Sequence, residues 1–283
     1  MSERSKFVVS ADWLQEKLGT PGLSVIDGSW YLPANNRDAR AEYEAGHIPG
    51  AVFFDHDLVV EPDTGLPHSL PHARLFAAFA SAMGISEDDT IVVYDGPGFF
   101  SAPRVWWMFR VMGAKNVRVL DGGIDGWKRE GRPVTDEQTN VAASVFDTRF
   151  DESRVASFEE MMRLVDTGSS QIADARPAGR FEGTDPEPRA GMRSGHMPGA
   201  VNVPALSIAE GGKLLPVKEL REVLQKSGLD LEKPVVTSCG SGVTAAAITL
   251  ALESVGHTDN KLYDGSWSQW GSRPDTPVVT GKA

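Results

Sequence analysis

The sequence contains a duplication, and that limits the fold more than any other feature. Gly46-His47-Ile48-Pro49-Gly50-Ala51 returns as Gly195-His196-Met197-Pro198-Gly199-Ala200, identical at five of six positions. An apolar run ending in aspartate precedes each copy, Ser24-Val25-Ile26-Asp27 and Gln171-Ile172-Ala173-Asp174. A second short run follows each, Ile91-Val92-Val93-Tyr94-Asp95 and Pro234-Val235-Val236-Thr237-Ser238. Last come Leu120-Asp121-Gly122-Gly123 with Trp127, and Tyr263-Asp264-Gly265-Ser266 with Trp270. Asp121 and Asp264, Trp127 and Trp270, and Val92 and Val235 are each 143 residues apart, and the earlier motifs lie 147 to 149 apart. Four motifs in one order at nearly one spacing imply two copies of one domain. The 283-residue length agrees, at about 100–200 residues per domain. We expect a first domain over 1–135, a polar linker over 136–157 and a second domain over 158–283.

Within each copy, short β-rich runs alternate with stretches of helical period: Leu75 to Met83, Ala102 to Met112, Val217 to Ser227 and Val243 to Ser254. Pro103 suits the first turn of its helix, where the missing N–H is not needed. Alternating strands and helices predict an α/β fold, two tandem domains each with a mainly parallel sheet flanked by helices.

Composition removes several functions. A formal charge of −11 excludes a wholly basic nucleic-acid face. A single cysteine rules out an intramolecular disulfide framework and a Cys-rich zinc site. His68 and His72 are four apart, but Pro67 and Pro71 break the helical face a metal pair would need, so no metal is expected. The segment 96–101 lacks the third glycine of a dinucleotide loop. Trp106 and Trp107 read as core. The N-terminus lacks the apolar stretch of a signal peptide, and no run reaches the ~18 apolar residues of a membrane span. A soluble cytoplasmic protein without membrane or nucleic-acid partners is expected.

The lone thiol has a telling position. Cys239 follows the run ending at Ser238 and opens Cys239-Gly240-Ser241-Gly242-Val243-Thr244, ahead of a helical stretch. In open α/β sheets, strand carboxyl ends and helix N-termini form the usual ligand crevice. Loop amides and the helix dipole there favour thiolate, the reactive form of cysteine. The residues alone leave two readings open, a nucleophile and an inert buried thiol.

The paired Gly-His-x-Pro-Gly-Ala motifs, the Cys239–Thr244 loop and the Trp-bearing C-terminal segment resemble the tandem-domain sulfurtransferases of the rhodanese superfamily, over nearly the whole chain. The likeness is greatest to its mercaptopyruvate-using branch. The resemblance implies that Cys239 accepts sulfur as a persulfide, cradled by Gly240, Gly242, Val243 and Thr244. The counterpart of Cys239 at the 143 offset is Gly96, so the first domain is expected to be catalytically silent. Thiosulfate-using members place Arg and Lys after the cysteine, where this chain has Gly240 and Ser241. Arg180 and Arg189 match the family's substrate arginines, and a guanidinium fork suits a carboxylate with its neighbouring keto oxygen. On the residues alone, the same two arginines read as surface groups paired with Glu182, Asp185 or Glu187.

By the same resemblance, Ser241 with His47 and Asp38 would relay protons. The alternative for the pair is a structural one, because His196 repeats His47. No cofactor is implied. The implied partners are a small-molecule sulfur donor and an acceptor thiol such as thioredoxin, or cyanide. Thiosulfate:cyanide transfer and a non-catalytic sulfur-carrier or redox-sensing module are the alternatives. A Cys-x5-Arg phosphatase is excluded by Ala245.

Overall fold

A computed structural model describes residues 3–282. The first half contains five strands, β1 (Val8–Val9), β2 (Leu23–Asp27), β3 (Ala51–Phe53), β4 (Thr90–Tyr94) and β5 (Asn116–Leu120). Five helices accompany them: α1 (Ala11–Lys17), α2 (Ala39–Ala45), α3 (Ala73–Ala82), α4 (Ala102–Val111) and α5 (Gly123–Arg129). Every pairing in this sheet is parallel, in the order β1-β5-β4-β2-β3.

The second half repeats the plan with β6 (Val155–Ala156), β7 (Gln171–Asp174), β8 (Ala200–Asn202), a hairpin of β9 (Ala209–Glu210) and β10 (Lys213–Leu214), β11 (Val235–Ser238) and β12 (Asn260–Tyr263). Its helices are α6 (Phe158–Thr167), α7 (Ala178–Glu182), α8 (Val217–Lys226), α9 (Ala245–Ser254) and α10 (Ser266–Trp270). The main sheet is again parallel, in the order β6-β12-β11-β7-β8. The matching strand order is the structural counterpart of the sequence repeat. Strand β6 lies inside the segment expected to be linker, so the second sheet starts at Val155.

Helices α4 and α9 sit between the sheets and form the interdomain core. Nine of ten residues are buried in each, so neither has a polar face to turn to water. Four alanines in α9, Ala245, Ala246, Ala247 and Ala251, leave room for the bulky side chains of α4, among them Trp106, Trp107 and Phe109. Charges close the far end: Arg110 Nη1 lies 2.6 Å from Glu253 Oε2, and Arg154 Nη1 lies 2.8 Å from Glu253 Oε1. The two halves meet again where Gly122 N donates to Gly212 O at 2.9 Å and Leu214 N donates to Asp121 Oδ1 at 2.8 Å. Among the described residues, no helix is long and apolar enough to cross a membrane.

Breaking a buried pair leaves the remaining charge unsolvated. Glu253→Ala strands Arg110, while Arg154 keeps Asp151, and is expected to lower stability by roughly 3 kcal/mol, read as a fall in the urea midpoint. An unchanged midpoint would remove this pair from the interdomain cement.

Candidate active site

Cys239 follows the last residue of β11 and is 2% exposed. Its N–H donates to Ser266 Oγ at 3.1 Å, while Trp267 N and Ser268 N donate to the carbonyls of Cys239 and Gly240. The loop is therefore fastened through Cys239 N and its carbonyls, leaving other N–H groups uncommitted. The N–H groups of Gly240, Ser241, Gly242, Val243 and Thr244 have no protein acceptor among the described residues. They lie at the N-terminus of α9, a setting that favours a negative charge. Gly242 adopts φ +80°, and a Cβ there would come within 2.8 Å of Asp264 O, so only glycine fits the turn.

The same loop in the first domain is closed by its own side chain. Asp95, the counterpart of Ser238, accepts from Gly98 N at 2.6 Å, Phe100 N at 2.8 Å, Ser101 N at 2.7 Å and Ala102 N at 2.8 Å. A carboxylate occupies the amide cradle there. At Gly96, the counterpart of Cys239, a Cβ would meet Tyr31 Oη at 2.2 Å. The position expected to be silent is thus filled by a tyrosine.

Between the domains lies a cavity of about 430 Å³. Cys239, Gly240, Ser241, Val243 and Thr244 line it from the second domain, as do Arg180 and Arg189; Trp30, Tyr31, Arg37 and Phe100 line it from the first. Three of its four arginines are already neutralised. Arg176, another lining residue, bonds Asp174 and Glu187, and Arg180 shares Glu187 through a 2.5 Å contact. Arg37 is held by Glu42 and Asp125. Arg37, Arg176 and Arg180 therefore carry carboxylate partners, and Arg189, the fourth, has none within 4.0 Å among the described residues. Burial and the neighbouring Arg180 pull the Arg189 pKa down, and the Cys239 charge opposes that shift. Gly240 admits Arg180 to the loop, because a Cβ there would lie 3.1 Å from Arg180 Nη2.

Ser241 has a histidine partner, but it is not His47. His68 Nδ1 lies 2.9 Å from Ser241 Oγ, and His68 Nε2 lies 3.3 Å from Asp57 Oδ1. Hydrogen bonding to His68 lowers the Asp57 pKa. With Nε2–H donated to Asp57, Nδ1 accepts the serine proton, and the three residues form a chain ending beside Cys239. His47 and Asp38 are employed elsewhere. His47 Nδ1 is 2.8 Å from Tyr43 O, its ring stacks on Tyr43 at 4.0 Å, and its backbone bridges to Thr135. His196 does the same in the second domain, with Phe181 O at 2.8 Å, Phe181 stacking at 3.7 Å and a bridge to Val279. Asp38 caps α2 by accepting from Ala41 N at 3.0 Å. Neither His47 nor Asp38 lines the cavity that holds Cys239.

Sequence reasoning considered His68 only as a metal ligand. The available signal was its lack of a repeat mate, since no histidine occurs between His196 and Cys239.

Two rhodanese-like domains, matched over residues 10–130 and 157–273, place this chain in the rhodanese-like family, to which it belongs. It is 42% identical to the 3-mercaptopyruvate sulfurtransferase of Rattus norvegicus, covering 97% of this chain and 96% of the relative. It is also 42% identical to the thiosulfate sulfurtransferase of Gallus gallus, covering 93% and 92%. The crystal structure of SseA from Escherichia coli, a 3-mercaptopyruvate sulfotransferase, superposes with a TM-score of 0.85 at 38% identity, covering 92% of this chain and 98% of SseA.

His56 packs near His68, with ring centroids 6.5 Å apart, and its Nε2 lies 2.9 Å from Gly28 O. Burial, reinforced by His68, pushes its pKa from 6.5 down to about 3. Below pH 6.5 the unfolded chain takes up a proton that folded His56 refuses, so stability falls as pH drops from 6.5 towards 3. Each pH unit in that window costs about 1.4 kcal/mol. Urea midpoints between pH 7 and pH 5 should decline in the parent and decline less in His56→Gln; parallel declines would assign the acid sensitivity to other groups.

Proposed function

We propose that the protein transfers sulfur from 3-mercaptopyruvate through a persulfide on Cys239 to a thiol or cyanide, releasing pyruvate. The observation that carries the donor assignment is charge. Among the described residues, Arg189 alone of the arginines lining the cavity has no carboxylate partner. One uncompensated cation matches a mono-carboxylate, whereas a dianion such as thiosulfate would need two. Arg189 binds the donor carboxylate, and Arg180, braced by Glu187, contacts the neighbouring keto oxygen.

Cys239 reacts as its thiolate and attacks the donor sulfur. The new S–S bond forms as the donor C–S bond breaks, and that electron pair leaves as pyruvate enolate. The enolate takes one proton to become pyruvate, so the net change moves one sulfur atom and no electrons to any outside acceptor. Ser241, backed by His68 and Asp57, donates to the developing enolate and recovers its proton through His68. The uncommitted N–H groups of Gly240, Gly242, Val243 and Thr244 hold the anionic persulfide. An acceptor thiol, such as that of thioredoxin, then attacks the outer sulfur and regenerates Cys239. Splitting the transfer in two gives ping-pong kinetics.

Intact-mass measurement after donor treatment should find one added sulfur atom on the parent and none on Cys239→Ser, which should also release no pyruvate. Turnover by Cys239→Ser would refute the persulfide. Arg189→Ala should lower kcat/KM for 3-mercaptopyruvate by roughly 100-fold, the effect of losing a charged hydrogen-bond pair, and lower thiosulfate use less; equal losses would overturn the donor assignment. Ser238→Asp recreates the Asp95 arrangement in the second domain. It should cost roughly 100-fold in kcat by occupying the persulfide cradle, with circular dichroism unchanged, and full activity would show that the amides are not needed.

A further inference from the structure

The scheme above leaves unexplained a buried cation of the first domain that lies behind the loop of the second. Arg104, in the first turn of α4, is 0% exposed. Its Nη2 lies 2.6 Å from Asp264 Oδ1, at an angle unsuited to a hydrogen bond, so the attraction is that of a buried charge pair. The same Nη2 donates to the His68 carbonyl at 2.6 Å, and Nη1 donates to the Gly242 carbonyl at 3.4 Å. Asp264 Oδ2 in turn accepts from Leu70 N at 2.7 Å. The guanidinium and its carboxylate thus grip the backbone at His68, at Leu70 and at the residue after Ser241.

Two further features argue against simple space filling. Arg104 Nε is buried with no acceptor, and apolar side chains of similar volume commonly replace buried ion pairs without loss of stability. His68 has φ +56°, the left-handed region that non-glycine residues adopt only when their surroundings enforce it. Arg104 holds the carbonyl of this same residue.

We infer that Arg104 is a positioning residue for sulfur transfer: by holding the His68 and Gly242 carbonyls together across the domain interface, it keeps the His68 imidazole on the Ser241 hydroxyl. This rests on the Ser241–His68–Asp57 assignment proposed above. A displacement of about 1 Å in such a contact is enough to cost on the order of 100-fold in rate. Donor binding is expected to be untouched, because Arg104 does not line the cavity and its polar partners are His68, Gly242 and Asp264 rather than Arg180 or Arg189.

The test is a double-mutant cycle on the full chain with 3-mercaptopyruvate, using Arg104→Met, Arg104→Lys, His68→Ala and the combinations. His68→Ala keeps the carbonyl that Arg104 grips, so it removes the imidazole alone. Arg104→Met should lower kcat by roughly 10- to 100-fold with KM little changed, and Arg104→Lys should recover part of the loss. In the His68→Ala background the same change should cost less than about threefold, the residue's effect having passed through the histidine. Equal fold-losses with and without His68, or an effect on KM alone, would overturn the positioning role while leaving the relay intact. Normal kcat in His68→Ala would overturn the relay itself, and this inference with it. Where Arg104→Met folds poorly, Asp264→Asn completes the same cycle with the same expected pattern.

Discussion

The packing of α4 against α9 is the contact on which the rest depends. Each helix is buried on every side, so neither domain could expose its own without placing a wide apolar surface in water. The contact also sets the chemistry, because α9 begins where the Cys239 loop ends and α4 begins where the Asp95-capped loop ends. Two helix N-termini are thereby brought to the same seam. One meets an internal carboxylate; the other presents amides to a thiol.

At that seam, residues of both domains gather around the one cysteine. The second domain supplies Cys239, the loop amides, Arg180 and Arg189. The first supplies His68, Asp57 and the aromatic wall of Trp30 and Phe100. Charge is arranged with equal economy. Carboxylates pair with Arg37, Arg176 and Arg180, and among the described residues none lies within 4.0 Å of Arg189.

Much of the fold was legible in the sequence because repetition is visible without knowledge of structure. The stretches expected to be helical from Ala102 and Val217 begin at those residues in α4 and α8. The Val243 stretch starts two residues later, at Ala245, because the turn at Gly242 leaves Val243 and Thr244 outside the helix. The site was legible where it is local. Cys239, its loop and the two arginines sit in short motifs, and the cavity gathers them. The Ser241 partner was not local: 173 residues separate it from His68, and only the domain interface brings them together. His47 drew attention because its motif is repeated, and His47 and His196 make the same carbonyl, stacking and bridge contacts in the two domains. His68 occurs once, as a residue serving a single site must.

The Asp95 carboxylate has a consequence for how such a duplicated protein can change. A thiol grafted onto position 96 would find neither room nor free amides, since Tyr31 fills the space and Asp95 already ties down the surrounding N–H groups. Tyr31 and Asp95 would both have to change along with Gly96. The first copy's loop is locked by its own side chains, and its neighbouring surface serves instead as a wall of the cavity that holds Cys239.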